Sequence, residues 1–120
     1  MKTFKILSLL CVIALVSSCK QDNWLDWKAQ NELWLAENAK RDGVQTTHTG
    51  LQYKCIFKGV DNFARPDDAK EVIIDYSGRL INGYEFDAEN NAKMYVSALV
   101  EGFREGLKLM NETGIYEFYI

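Results

Sequence analysis

The amino-acid sequence predicts an α+β fold, an antiparallel β-sheet with one helix packed across it, preceded by an N-terminal helix. Three observations carry this. Residues 51–57, 71–76 and 115–120 are rich in strand-forming aliphatic and aromatic side chains. Asn82-Gly83 stands between two stretches of alternating apolar residues, and Asn-Gly is a strong hairpin signal because both residues tolerate positive φ. Leu99, Phe103, Leu107 and Met110 recur at helical spacing with charged residues between them. The order is helix, strand, strand–hairpin–strand, helix, strand, which is α+β.

The first segment stands outside that fold. Lys2 and Lys5 precede an apolar run, and small residues precede Cys19. This is the pattern of a secretory signal, too short for a stable membrane span. Val16-Ser17-Ser18-Cys19 resembles a bacterial lipobox. The resemblance implies cleavage before Cys19, lipidation of its thiol and a membrane anchor in the bacterial envelope. The plainer alternative is ordinary signal cleavage with Cys19 incidental. The expected organisation is a signal over 1–18, then lipidated Cys19, a linker and an amphipathic helix over 19–45, then the sheet domain over 46–120.

Losing residues 1–18 removes two lysines and no acid, so the formal charge moves from −3 to −5. An acidic domain argues against nucleic acid as a partner. Of the three cysteines, Cys11 leaves with the signal and Cys19 carries lipid, so Cys55 alone remains and cannot form an internal disulfide. Within "YKCIF" it reads as a small buried apolar residue.

Asn23 is placed to cap a helix over about 24–41, with Asp26 in its first turn and Gly43 beyond its end. Trp24, Trp27, Leu33 and Trp34 return to one side. Such a stripe is expected to pack on the following domain or on a second copy of itself; the alternative is a client-binding or membrane-surface face. In the second helix, Gly102 and Gly106 sit one turn apart. Each interior glycine costs about 0.8–1 kcal/mol relative to alanine. In the last strand, Ile115, Glu117 and Tyr119 face one way, and Tyr116, Phe118 and Ile120 the other.

Little in the sequence marks acid–base or metal chemistry. His48, the sole histidine, lies in the polar run "TTHTG" and reads as a solvated loop residue. No Cys/His cluster or phosphate-binding glycine loop is present, so no metal or cofactor is expected. Asp75, Glu85, Asp87 and Glu89 read as the polar side of a hairpin. An enzyme built from these residues needs a reaction that requires neither acid, base nor metal.

Rotation about an Xaa-Pro bond is such a reaction. "VIIDYSGRLINGYEFDA" resembles the FKBP-type peptidyl-prolyl cis-trans isomerases, in their strand–Tyr-(Thr/Ser)-Gly–strand–(Asp/Asn)-Gly-x-x-Phe-Asp pattern. "LVEGFREGLKLM" resembles the family helix, "TTHTGLQYKCIFKG" the first strand of bacterial envelope members, and "YEFYI" the strand after the helix. The resemblance covers residues 46–120. It implies an apolar pocket for Xaa-Pro segments of unfolded polypeptides. Tyr76, Phe86, Asp87 and Phe103 would be its catalytic set: a hydroxyl pointing in, an apolar wall, a polar rim acceptor and the floor. Leu99 and Val100 would edge the pocket, the Val100 N–H donating to a bound peptide carbonyl, and Met94 would stand for a further wall residue. The two helix glycines would let the helix lie close across the sheet.

Two departures from the family pattern matter. Phe103 stands where the family usually has Trp, which implies weakened turnover. The sequence given ends at Ile120, where family members continue with a pocket Tyr loop and a final strand inside the sheet. The expectation is an FKBP-like fold with its last strand missing and unpaired strand edges. The favoured function is prolyl isomerisation during folding of envelope proteins. The alternatives are a non-catalytic FKBP-like binding or chaperone lipoprotein, and an unrelated small α+β structural lipoprotein.

Overall fold

Helix α1 spans Asn23–Asn38 in the computed structural model, which describes residues 23–61 and 65–120. The expected signal segment and Cys19 lie outside the described residues. α1 ends three residues before the predicted Arg41. There the chain tightens: the Lys40 and Arg41 N–H groups reach back three residues, to Glu37 O and Asn38 O. Gly43 then reverses direction at φ +80°.

Three strands follow from pairing around Gln52–Phe57 (β2). Val44–Thr46 (β1) lies antiparallel on one side of it, with Gln45 opposite Tyr53. Three residues are too few to show an alternation, so β1 was not legible in the sequence. On the other side lies Ile115–Tyr119 (β5), with Gln52 opposite Tyr119 and Tyr53 opposite Phe118. Glu71–Arg79 (β3) and Glu85–Tyr95 (β4) form a separate antiparallel pair. The α+β class and the antiparallel pairing hold, but the strands make two sheets, β1-β2-β5 and β3-β4. Among the described residues, β3 and β5 each pair along one edge only.

The hairpin turn differs from the two-residue form that Asn82-Gly83 suggested. The Leu80 N–H bonds to Tyr84 O, and the Gly83 N–H bonds to Leu80 O. Only Gly83 has positive φ, +88°, while Asn82 accepts the Tyr84 N–H on its side chain at 3.0 Å. The loop is therefore the three-residue kind, closed by a left-handed glycine.

The second helix, α2, covers Glu101–Leu109. It is shorter than the predicted 98–110, because Val96–Ala98 form a 3-10 turn and Leu99 and Val100 are extended. The periodicity misled at Leu99, whose side chain belongs to the lead-in rather than the helix. Gly102 and Gly106 explain themselves here. A Cβ on Gly102 would lie 2.8 Å from Ile120, and one on Gly106 would lie 2.7 Å from the Phe118 ring. Both glycines let α2 settle onto β5, on the face where Phe118 and Ile120 were expected to point.

Tyr119 points to the opposite face, where Trp34 of α1 meets it at 5.6 Å between ring centroids. A buried amide pair joins the same surfaces. Asn38 Nδ2 donates to Gln52 Oε1 at 3.0 Å, and Gln52 Nε2 donates to Leu35 O at 2.9 Å. The helix stripe is thus divided: Trp34 packs on the sheet, whereas Trp24 and Leu33 are 66% and 69% exposed.

The innermost apolar side chains are Leu51, Ala92, Val96 and Leu107. Cys55 is exposed, against expectation. It pairs with Tyr116 on the α2 face, but α2 sits over Phe118 and Ile120, beyond its reach.

Candidate functional site

The β3–β4 hairpin carries the Tyr-Ser-Gly and Phe-Asp motifs, and its register decides where their side chains go. Tyr76 lies opposite Glu89, and Gly78 lies opposite Asp87. Directly opposed residues share a face, so Tyr76, Gly78, Asp87 and Glu89 point the same way. From that face the Tyr76 hydroxyl reaches diagonally and donates to Asp87 Oδ2 at 2.8 Å.

Two irregularities flank this pair. Ile74 opposes Ala92 and Tyr76 opposes Glu89, so Asn90 and Asn91 together face the single residue Asp75. Asn91 takes φ +55°, and its N–H bonds to Asp75 Oδ1 at 2.7 Å. That clamp pins a β-bulge one residue from Tyr76. At the second irregularity Arg79 pairs with Glu85 and Gly78 with Asp87, which leaves Phe86 as the extra residue. Bulges re-aim side chains, and the Phe86 ring lies across Gly78. A Cβ on Gly78 would come within 2.5 Å of its Cζ. The motif glycine is therefore the seat of the motif phenylalanine, and Phe86 remains 60% exposed.

Helix α2 closes the arrangement from above. Phe103 approaches Tyr76 at 6.2 Å between centroids with the rings tilted by 58°. The result is an aromatic surface with one polar rim: Tyr76 and Phe103 in contact, Phe86 on its glycine seat, Asp87 holding the phenol. The hydrogen bond to Asp87 raises the Tyr76 pKa above the usual tyrosine value, with partial burial and the charges of Asp87 and Glu89 adding to it.

The remaining expected residues are less closely gathered. Met94 shares the Tyr76 face but pairs with Val72, four residues back along β3, which is about 13 Å at 3.3 Å per residue. Leu99 is half-buried in the extended lead-in, its N–H bonded to Val96 O. Val100 is the α2 N-cap, 67% exposed, and its carbonyl accepts the Arg104 N–H. Asp75 and Glu89 were read only as acids on the polar side of the hairpin and Gly78 only as part of the Tyr-Ser-Gly motif; the Asp75–Asn91 clamp was not foreseen. The only available signal was the Asn90-Asn91 doublet, residues that tolerate left-handed backbone.

An antiparallel hairpin presenting Tyr, Phe and Asp beneath a short, glycine-seated helix that supplies a third aromatic defines an FKBP-like α+β domain. Comparison with known proteins agrees. The family described as "Domain amino terminal to FKBP-type peptidyl-prolyl isomerase" matches residues 17–55, a span that includes α1, β1 and most of β2. A probable FKBP-type peptidyl-prolyl cis-trans isomerase FkpA of Neisseria meningitidis is 39% identical over 97 residues, 78% of this chain and 35% of that protein. The Legionella longbeachae outer membrane protein MIP is 32% identical, over 78% of this chain and 41% of that protein. The crystal structure of FkpA from Escherichia coli superimposes with TM-score 0.73 at 30% identity, over 78% of this chain and 45% of that one. A peptidyl-prolyl cis-trans isomerase from Pseudomonas syringae shares the fold, with TM-score 0.72 at 20% identity. The chain is a homologue of the FKBP-type peptidyl-prolyl cis-trans isomerases of the FkpA and Mip kind. It spans well under half the length of these curated relatives.

Proposed function

We propose that this chain binds Xaa-Pro segments of unfolded polypeptides on the Tyr76–Phe103–Phe86 surface and accelerates their cis–trans isomerisation. The observation that carries the reading is the Tyr76–Asp87 hydrogen bond set beside Phe103. The mechanism follows from the peptide. A planar amide resists rotation by about 18–20 kcal/mol, and uncatalysed Xaa-Pro exchange takes tens of seconds or longer. The twisted transition state has lost amide resonance, so its carbonyl is less polar than the ground state's. An apolar aromatic surface therefore favours the twisted form, which is differential binding rather than acid–base chemistry. In this reading Phe103 is the floor under the proline ring and Phe86 a wall. Asp87 keeps the Tyr76 hydroxyl turned to the rim. The Val100 N–H lies at the start of α2, placed to hold a peptide carbonyl.

The chain is proposed to work in the bacterial envelope, anchored by lipid on Cys19, with client proteins undergoing folding as its substrates. The lipobox-like end of the apolar run and the similarity to a relative named as an outer membrane protein support this. The test is the refolding of a protein whose slow phase is limited by prolyl isomerisation. Added chain should speed that phase, and the Asp87→Ala variant should lose most of the effect. Substituting Cys19 should shift the expressed chain from the membrane fraction to the soluble one.

A second reading keeps the surface but not the turnover. Phe86 and Val100 are open to solvent, and an open aromatic surface can hold a proline-containing segment without enclosing the twisted amide. Peptide binding without any rate effect would select it.

A further inference from the structure

Helix α2 has few means of standing by itself. Its nine residues are below the roughly 12–15 that make an isolated helix even marginal. Two are glycine, and Val100 at its N-cap offers no side-chain cap. Its placement must come from what surrounds it. Around the axis, at 100° per residue, Gly102 and Gly106 face β5, and Phe103 faces Tyr76. Arg104 and Lys108 face Asp68, at 3.8 and 2.6 Å. Glu105 lies about 200° from Phe103, on the back of the helix.

That back face is latched. The turn at 47–50 closes through the Gly50 N–H to Thr47 O, with Gly50 at φ +94°, and the Thr47 N–H bonds to Leu51 O. The turn sets the Thr49 hydroxyl 2.7 and 2.6 Å from the two carboxylate oxygens of Glu105. The Thr49 hydroxyl donates its one proton to the Glu105 carboxylate. The Thr47 hydroxyl lies 2.8 Å from that of Thr49 and also hydrogen-bonds Glu105. The two threonines tie α2 to the turn that leads directly into β2. Hydrogen bonds to a carboxylate are short and strong for their kind. The bonds to Glu105 are exposed, as are the pairs to Asp68, but those pairs hold the side of α2 while Glu105 holds the face opposite Phe103.

We infer that Glu105, held by Thr49, is a positioning residue for the candidate site: fixing the back of α2 sets how far Phe103 advances toward Tyr76. Its effect on turnover rests on the isomerase reading; its effect on the Phe103–Tyr76 contact does not. The experiment therefore measures both on the full chain. Aromatic-labelled protein gives the nuclear Overhauser contact between the Phe103 and Tyr76 rings, and an Xaa-Pro peptide gives kcat/KM. Thr49→Val and Glu105→Ala should each weaken the ring contact and lower kcat/KM about tenfold, and the double variant should be no worse than either. Glu105→Gln, which keeps an acceptor for Thr49, should restore both to within about threefold of the starting protein. An unchanged ring contact in Thr49→Val and Glu105→Ala overturns the inference, whatever the rates do. Should Glu105→Ala fail to fold, the milder Thr49→Val decides. A ring contact that responds as expected in a chain without turnover upholds the latch and removes the isomerase reading alone.

Discussion

The Tyr76 hydroxyl donates to Asp87 across the β3–β4 hairpin at 2.8 Å, and this bond raises the Tyr76 pKa above its ordinary 10.0. The folded state thus favours the neutral phenol. The stability this contributes is fully present below the unfolded tyrosine pKa and is lost as pH rises through the raised folded value. Asp87→Ala should return Tyr76 toward its ordinary ionisation, followed by ring-carbon NMR, and should remove this alkaline dependence. A Tyr76 titration that ignores Asp87→Ala would mean the bond is not maintained in solution.

The two helix glycines should behave differently when filled. An alanine at Gly106 gains about 1 kcal/mol of helix propensity, but its methyl meets the half-buried Phe118 ring at 2.7–2.8 Å on three atoms. Overpacking costs about 1–3 kcal/mol, so Gly106→Ala should be neutral to destabilising by about 2. At Gly102 the obstacle is Ile120, 70% exposed and free to swing aside. Gly102→Ala should therefore be neutral or mildly stabilising. Urea unfolding of both variants checks the contrast, and equal effects would contradict it.

The pattern of what could be read follows the same physics. Strands β2, β3 and β5 were legible because they are rich in strand-forming side chains; at the β5 end these also alternate between covered faces, Phe118 and Ile120 meeting α2 and Tyr119 meeting Trp34. Hairpin position was legible from Asn82-Gly83, but its loop type depends on φ at one residue, which composition does not fix. Leu99 kept helical spacing and is not helical. Cys55 looked internal by neighbourhood and is exposed, because burial is set by where a nine-residue helix happens to end. Of the residues expected at the site, Tyr76 bonds to Asp87 and touches Phe103. The bulges that aim Phe86 and pin Asp75 to Asn91 are register effects, and register is invisible to a one-residue reading.

The N-terminal helix should be held to the sheet by one buried amide pair. Asn38 is fully buried and Gln52 nearly so. Asn38→Ala leaves the buried Gln52 Oε1 without its donor, while Nε2 keeps Leu35 O, a loss of about 1–3 kcal/mol. Amide hydrogen exchange in α1 should accelerate much more than exchange in β3 and β4. Uniform acceleration throughout would show instead that α1 and the hairpin unfold as one unit.

Acid should loosen α2 before the rest. Glu105 is held below the usual carboxylate range chiefly by the Thr49 hydroxyl, and Asp68 chiefly by its hydrogen bond from Lys108. Depressed carboxylates contribute stability that is complete above their unfolded pKa values, 4.5 and 3.8, and is lost as pH falls through the lower folded values. The urea midpoint should fall below about pH 4.5 in the starting protein, and less so in Asp68→Asn. Added salt should blunt the Asp68 share by screening.

The most direct measurement is exchange NMR on a peptide whose cis-Pro and trans-Pro signals are resolved, with and without the chain. Exchange should be faster with the starting protein. That acceleration should be lost in Phe103→Ala, under conditions where the buried Val96 and Ala92 amides show the variant to be folded. Exchange that is not accelerated by the folded starting protein, or acceleration that survives undiminished in folded Phe103→Ala, would overturn the isomerase reading.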